Sequence, residues 1–242
     1  MRITIFNGSP RMERGNTCRM TAAFTEGAVA AGAEVEQVLL AKKTIRPCLG
    51  CFGCWTKRPG ECMQQDDMRE LLPLVAASDL VIFATPLYVD NVTGIMKLFM
   101  DRLIPLVSPY FEKDPDGEYR HQRRLEKVPR LGVIANCGLP EQSQFQVLRL
   151  LLPRVARNLQ SELVAEIYRA EGELLGSKSL VLRPFLNRYW KLLRRAGAEV
   201  ARDGCLSEQA QHALEKPLVP PDLYMRGANK HWDRMLAQRE EA

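Results

Sequence analysis

The sequence predicts an α/β fold, a doubly wound parallel sheet of five strands within one domain. Two observations predict it. Five short β-branched or apolar runs alternate with segments whose apolar residues recur at helical spacing. Two of these runs, "DLVIFAT" at 79–85 and "RLGVIANC" at 130–137, are almost wholly apolar, as strands covered on both faces must be. At 242 residues the chain is long enough to bury the sizeable core this arrangement needs.

"RITIF" at 2–6 is the first strand and ends in the turn-rich "NGSPRMERGN". From Thr17 the pattern turns helical, with Met20, Phe24 and Ala28 on one side and Gly32 closing the segment. "EVEQVLL" at 34–40 alternates as a second strand, and "QDDMRELLPLVAAS" is a helix with an acidic first turn and Pro73 near its middle. After the third strand, residues 92–107 form a helix with Ile95, Leu98, Phe99 and Leu103 together. Residues 108–130 leave the plan as a hairpin turning at "DPDG". The fourth strand leads to a helix around 145–160, kinked at Pro153. A fifth strand, "SELVAEIYR", and an amphipathic helix over 186–203 complete the unit. The domain therefore runs 1–204. Residues 205–242 form a polar C-terminal extension ending in a short helical piece around Trp232.

Composition narrows the function. Hydrophobic residues make up 46% and charged residues 26%, as in ordinary globular chains, and no apolar run has the length of a membrane span. The N-terminal stretch turns polar too early for a signal peptide, so a reducing cytoplasm is the expected compartment. There, seven cysteines favour metal or redox roles over a disulfide framework. The net charge of +5 contains no long basic tract. Its densest patch, "RHQRR" at 120–124, reads as a solvated loop face, with anionic ligands as the alternative. Without interleaved aromatic residues it argues against nucleic acid. Cys18 and Cys205 read as structural, and His121 as a surface residue of the hairpin.

Ligands of such a sheet bind at the carboxyl ends of the strands, so the loops after strands one, three and four should carry the site. "NGSPRMERGNT" follows a strand and opens a helix, where free N–H groups can meet a phosphate, with Ser9, Arg11, Asn16 and Thr17 adding donors and a cation. The loop lacks both the G-x-x-x-x-G-K-[ST] and the G-x-G-x-x-G patterns. In "TPLYVDNVTG", Pro86, Leu87 and Tyr88 offer a rigid wall for a flat ring, and Asn91 and Thr93 can cap the next helix or bond a ligand. In "ANCGLPEQSQ", Asn136, Cys137 and Gly138 bring backbone close to such a ring. No catalytic triad or paired-carboxylate constellation is visible, so no catalytic side chain is assigned.

These pieces, with "PCLGCFGCW", "PGEC", "DDM" and the near-terminal "ANKHWD", resemble the NADPH-dependent FMN reductase and iron–sulfur flavoprotein branch of the flavodoxin-like superfamily. The resemblance implies a sheet of order 2-1-3-4-5 with FMN at its carboxyl edge and NAD(P)H as electron donor. It assigns the phosphate to Ser9, Arg11, Asn16 and Thr17. The ribityl chain and ring fall to Pro86, Leu87, Tyr88 and Asn91, with Asn136, Cys137 and Gly138 on the ring's other side. It also implies a homodimer or homotetramer, since flavins in this family commonly sit near subunit contacts.

Cys48, Cys51, Cys54 and Cys62, within the cysteine-rich loop 46–62, have the spacing C-x2-C-x2-C-x7-C. Thiolates at steps of three can surround a compact cluster, and in cluster-bearing relatives this run ligates a [4Fe–4S] centre. Zinc and free redox-active thiols stay open as alternatives. Trp55 is expected against the flavin, at a subunit contact or in plain packing. The functional expectation is an oxidoreductase passing electrons from NAD(P)H through FMN to a quinone, a flavin or another small aromatic acceptor. A flavoprotein electron carrier and a thiol or metal-binding regulatory module are the rivals. No membrane partner is expected.

Overall fold

In the computed structural model, which describes residues 1–240, β1 (Arg2–Asn7) is buried from Ile3 onward and leads into α1 (Asn16–Ala30). β2 (Glu34–Leu39), the one-turn α2 (Gly53–Thr56) and α3 (Met68–Ala77) follow. Next come β3 (Leu80–Pro86), α4 (Gly94–Asp101), the strands β4 (Val107–Lys113) and β5 (Tyr119–Arg123), β6 (Arg130–Asn136) and α5 (Gln146–Asn158). The chain ends with β7 (Leu163–Arg169), α6 (Arg183–Asp203), α7 (Glu208–Glu215) and α8 (Pro221–Glu240).

The main sheet runs β2-β1-β3-β6-β7, parallel throughout, which is the expected 2-1-3-4-5 order once the hairpin β4–β5 is set aside. The strand pattern explains why both faces need cover. Leu80, Ile82 and Ala84 point into a core built with α1 and α6, while Val81 and Phe83 point into the opposite core with α3, α4 and α5. Helices on both faces remove water from the side chains of β3 from Leu80 through Thr85. The crossing of α1 and α6 is unusually close, because glycines face each other's backbone at Gly27 and Gly197.

Three segments differ from expectation. The helix expected over 92–107 is only Gly94–Asp101. Thr93 caps it, accepting from the Met96 N–H, and a 3-10 turn at Ile104–Leu106 ends the segment because Pro105 favours a break. The extension is not a polar tail with a short helical end but two helices, α7 and α8. Its anchors are tertiary: Arg169 donates to the carbonyls of Glu215 and Lys216, and the buried Glu171 accepts from the Leu218 N–H. His121 is not a free surface residue. It lies half-buried between the rings of Trp55 and Phe111, with centroids 4.9 and 4.8 Å away.

The hairpin turns at Asp114–Gly117 as its sequence suggests, with Gly117 in the left-handed region at φ 84° and Asp114 Oδ1 accepting from two backbone N–H groups. Arg157 of α5 holds the turn through Asp114 at 2.7 Å. No described helix is long and apolar enough to cross a membrane.

Candidate functional site

At the carboxyl edge of the sheet, β1 delivers Asn7, which is buried, and its Oδ1 accepts from the Ser9 N–H at 2.9 Å. The Nδ2 of Asn7 has no hydrogen-bond partner among the described residues. The loop then approaches its own start so closely that a Cβ on Gly15 would stand 2.6 Å from Ser9 Oγ. No side chain caps α1 at Gly15, so the first-turn N–H groups around Asn16 and Thr17 remain free for a ligand. Thr93 closes the rear of this loop by donating to the Gly8 carbonyl at 2.7 Å.

The loop after β3 is pinned to β6 through the Leu87 N–H, which donates to the Asn136 carbonyl at 2.8 Å. Tyr88 and Asn91 exchange backbone hydrogen bonds around Val89 and Asp90, both at positive φ. The turn projects a 97% exposed Val89 and leaves Tyr88 at the rim. β-Branched residues rarely adopt that backbone, so the turn is strained. In the third loop, Asn136 Nδ2 donates to Thr17 Oγ1 at 2.7 Å, joining two segments over a hundred residues apart in one buried bond. Burial pushes the Cys137 thiol up to about 11, so it stays neutral at pH 7. Tyr224 of α8 reaches in to donate to the Gly138 carbonyl.

Ser9, Arg11, Asn16, Thr17, Pro86, Leu87, Tyr88, Asn136, Cys137 and Gly138 all line one cleft. Asn91 does not; its Oδ1 accepts from the Val92 N–H within the turn. Sequence reasoning missed Glu173, which follows β7 and lines the same cleft. Its carboxylate accepts from Arg11 at 3.2 Å and from Asn16 at 3.4 Å. The available signal was the loop after the fifth strand, which opens on the same sheet edge. Conversion of Thr17 to valine should leave Asn136 Nδ2 buried without a partner and cost about 1–3 kcal/mol in urea unfolding.

The four loop cysteines gather on a second small cleft, together with Phe52, Met63, Ile104 and Pro105. Left-handed backbone at Gly50 and Phe52 turns the chain to bring them there. Cys54 is buried in α2, while Cys48 and Cys51 are exposed. Burial, then the neighbouring Cys62, raises the Cys54 thiol above its ordinary value. Among the described residues, however, no three His, Cys, Asp or Glu side chains are drawn into a closed metal-ligand set. Sequence reasoning also missed Arg102, whose guanidinium is buried and donates to Cys62 Sγ at 3.1 Å, to the Arg46 carbonyl and to both oxygens of Asp66. Its signals were present in "DDM" and in the Asp-Arg that ends α4, but nothing in their spacing pairs them. Within the chain Trp55 stacks on Phe52 and donates to the Val107 carbonyl at 2.9 Å, fastening the loop to the hairpin. Cys205, expected to be structural, is exposed; Cys18 is half-buried and accepts from Gln37 at 3.4 Å.

Residues 1–122 match the sequence model of the NADPH-dependent FMN reductase family. An iron–sulfur flavoprotein of Archaeoglobus fulgidus is 48% identical over 98 residues, 40% of this chain and 43% of that protein. A second, from Methanocaldococcus jannaschii, is 37% identical over 172 residues, 67% of this chain and 83% of its own length. The chain spans about half the length of the first curated relatives it matches. Among solved structures, an NAD(P)H:quinone oxidoreductase from Methanothermobacter marburgensis superposes with a TM-score of 0.60 at 18% identity, over 83% of this chain and 96% of that one. That likeness concerns the fold. The family match begins at β1 and ends in the hairpin, so it takes in the first-strand loop, the thiol loop and the Tyr88 turn together; by that match, this chain belongs to the NADPH-dependent FMN reductase family.

Proposed function

We propose that the chain is an FMN-dependent NAD(P)H oxidoreductase that reduces a quinone, a flavin or another small aromatic acceptor. The observation that carries this reading is the convergence of ten residues from three separate loops on one strand-end cleft. The cleft suits FMN on its own chemistry. Arg11 and the uncapped first turn of α1 supply donors for an anionic, oxygen-rich ligand. The Glu173 carboxylate already sits on Arg11 and Asn16, where a phosphate would be received. FMN, when bound, supplies acceptance of a hydride from a nicotinamide and its delivery onward as a hydride or as single electrons.

The chain's own residues position and exclude. Ser9, Arg11, Asn16 and Thr17 hold the phosphate end, while Pro86, Leu87 and Tyr88 wall the ring, with Asn91 bracing their turn. Asn136 and Gly138 close the other side, and Cys137, kept neutral by burial, sets no charge against it. The four-cysteine cleft is a donor set suited to a [4Fe–4S] cluster, with Arg102 supplying positive charge beside Cys62. Cys48, Cys51, Cys54 and Cys62 would hold such a cluster, which would supply one-electron transfer. The name borne by the relatives supports it. Residues 1–204 act as the FMN-binding domain, 205–242 as its extension, in a cytoplasmic homodimer or homotetramer.

Anaerobic purification tests the reading directly. One FMN per chain, bleached by NAD(P)H within seconds, and iron with sulfide near four each per chain are expected. A colourless protein that takes up no FMN overturns it, and a flavin that NAD(P)H does not bleach turns the enzyme into a carrier. The Glu173 carboxylate stands on Arg11 and Asn16, the groups assigned to the phosphate. Glu173→Gln removes a charge that competes with phosphate for Arg11. It should tighten FMN binding about 3- to 5-fold in fluorescence titration, the scale of an exposed ion pair.

A further inference from the structure

A cavity of about 560 Å³ lies away from the strand-end cleft, with which it shares no lining residue. It is of the size that holds small organic molecules. Leu72, Pro73 and Ala76 of α3, with Pro105, Leu106 and Leu125, give it apolar walls. Its polar lining is dominated by three guanidinium groups, Arg58, Arg69 and Arg124, against the single carboxylate of Glu61. None of the three arginines forms an ion pair among the described residues, and the Nε of Arg124 is buried without a hydrogen-bond partner. Arg124 is the last residue of the basic run 120–124, so the hairpin carries one of those charges onto the cavity. Cys62 and Pro105 belong both to this cavity and to the four-thiol cleft.

We infer that this cavity is a binding site for a small amphipathic anion, an apolar ring bearing a carboxylate, sulfonate or phosphate group. The walls remove the ring from water, while the arginines, poor in partners within the chain, take the anionic group in charge-assisted hydrogen bonds. Such a ligand lies against one of the four thiols rather than in the strand-end cleft. The site therefore stands whether or not a flavin is bound.

Titration calorimetry of the full chain tests this with naphthalene-2-sulfonate, the neutral 2-naphthylmethanol and inorganic sulfate. The sulfonate is expected to bind one site per chain, about tenfold or more tighter than the alcohol, with sulfate alone much weaker than either charge and ring together. The double variant Arg69→Gln/Arg124→Gln should weaken the sulfonate about tenfold and leave the alcohol within about twofold. Ala76→Phe, which fills the cavity from α3, should abolish both. The double variant keeps the test open if the filled one does not fold. Equal affinity for sulfonate and alcohol, a double variant that binds the sulfonate like the unaltered chain, or the lack of any saturable binding overturns the inference. So does loss of the sulfonate site as the chain self-associates, which would assign the cavity to a second copy.

Discussion

Gly27→Ala is expected to destabilise the chain by about 3 kcal/mol or more in urea unfolding, at the severe end of overpacking. The reason is geometric. A Cβ at Gly27 would stand 1.8 Å from the Arg194 carbonyl oxygen, and one at Gly197 would stand 2.0 Å from that of Phe24. Both obstacles are backbone, so no side chain can rotate away. The helices α1 and α6 would have to part, opening the core formed by Met20, Phe24, Leu193, Ala196 and Val200. Alanine is ordinarily the better helix former by about 1 kcal/mol, and this contact reverses the sign. Gly227 in α8 supplies the control, since a Cβ there meets nothing within 4 Å; Gly227→Ala should be neutral or stabilising. Because α1 also presents Asn16 and Thr17, the Gly27 variant should lose FMN affinity as well. Equal stability of the two alanine variants would sink this account of the crossing.

Asp66→Ala is expected to cost about 3–5 kcal/mol, because it strands a buried cation. The side chains of Asp66 and Arg102 are 0% and 1% exposed, and they meet at 2.7 and 3.0 Å. Asp66 also accepts from the backbone N–H of Arg46, at the start of the thiol loop, and of Met68, the first residue of α3. Burial alone would raise its pKa, but the hydrogen bonds from Arg102 and the Arg46 backbone outweigh it and hold the carboxyl below its usual range. A folded-state pKa below the unfolded value means that this stability is fully present above about pH 4. It is lost as pH falls through the folded value. Urea midpoints measured from pH 7 to pH 2 should therefore fall with acid in the unaltered chain, and the Asp66→Ala variant should lack that component. The pair Asp66→Leu/Arg102→Met should recover part of the loss if an unpaired charge is its source. The same variants should disturb Cys62, whose sulfur accepts from Arg102.

Much of the fold was legible from local pattern. The apolar runs of β3 and β6 announced a sheet covered on both faces, and "DPDG" announced the hairpin turn. Helix ends were harder. The shortening of α4 depends on the Thr93 cap and on Pro105, and α7 and α8 depend on anchors from Arg169 and Glu171 that no window of sequence contains. His121 was misjudged for the same reason, since its partners Trp55 and Phe111 come from different segments.

By itself, the sequence determined the order of strands and helices, the loops that open on the carboxyl edge and the supply of four closely spaced thiols. Those properties are local: hydrophobic period, turn chemistry and spacing act within a few residues. Only the tertiary structure decided that Glu173 stands on Arg11 and Asn16, and that Asp66 and Arg102 lock the thiol loop. It alone placed Arg124 and Cys62 on the lining of one cavity with apolar walls. Such pairings form between segments far apart in the chain. They are selected by burial, where a charge or donor must find its partner at whatever sequence distance the packing allows.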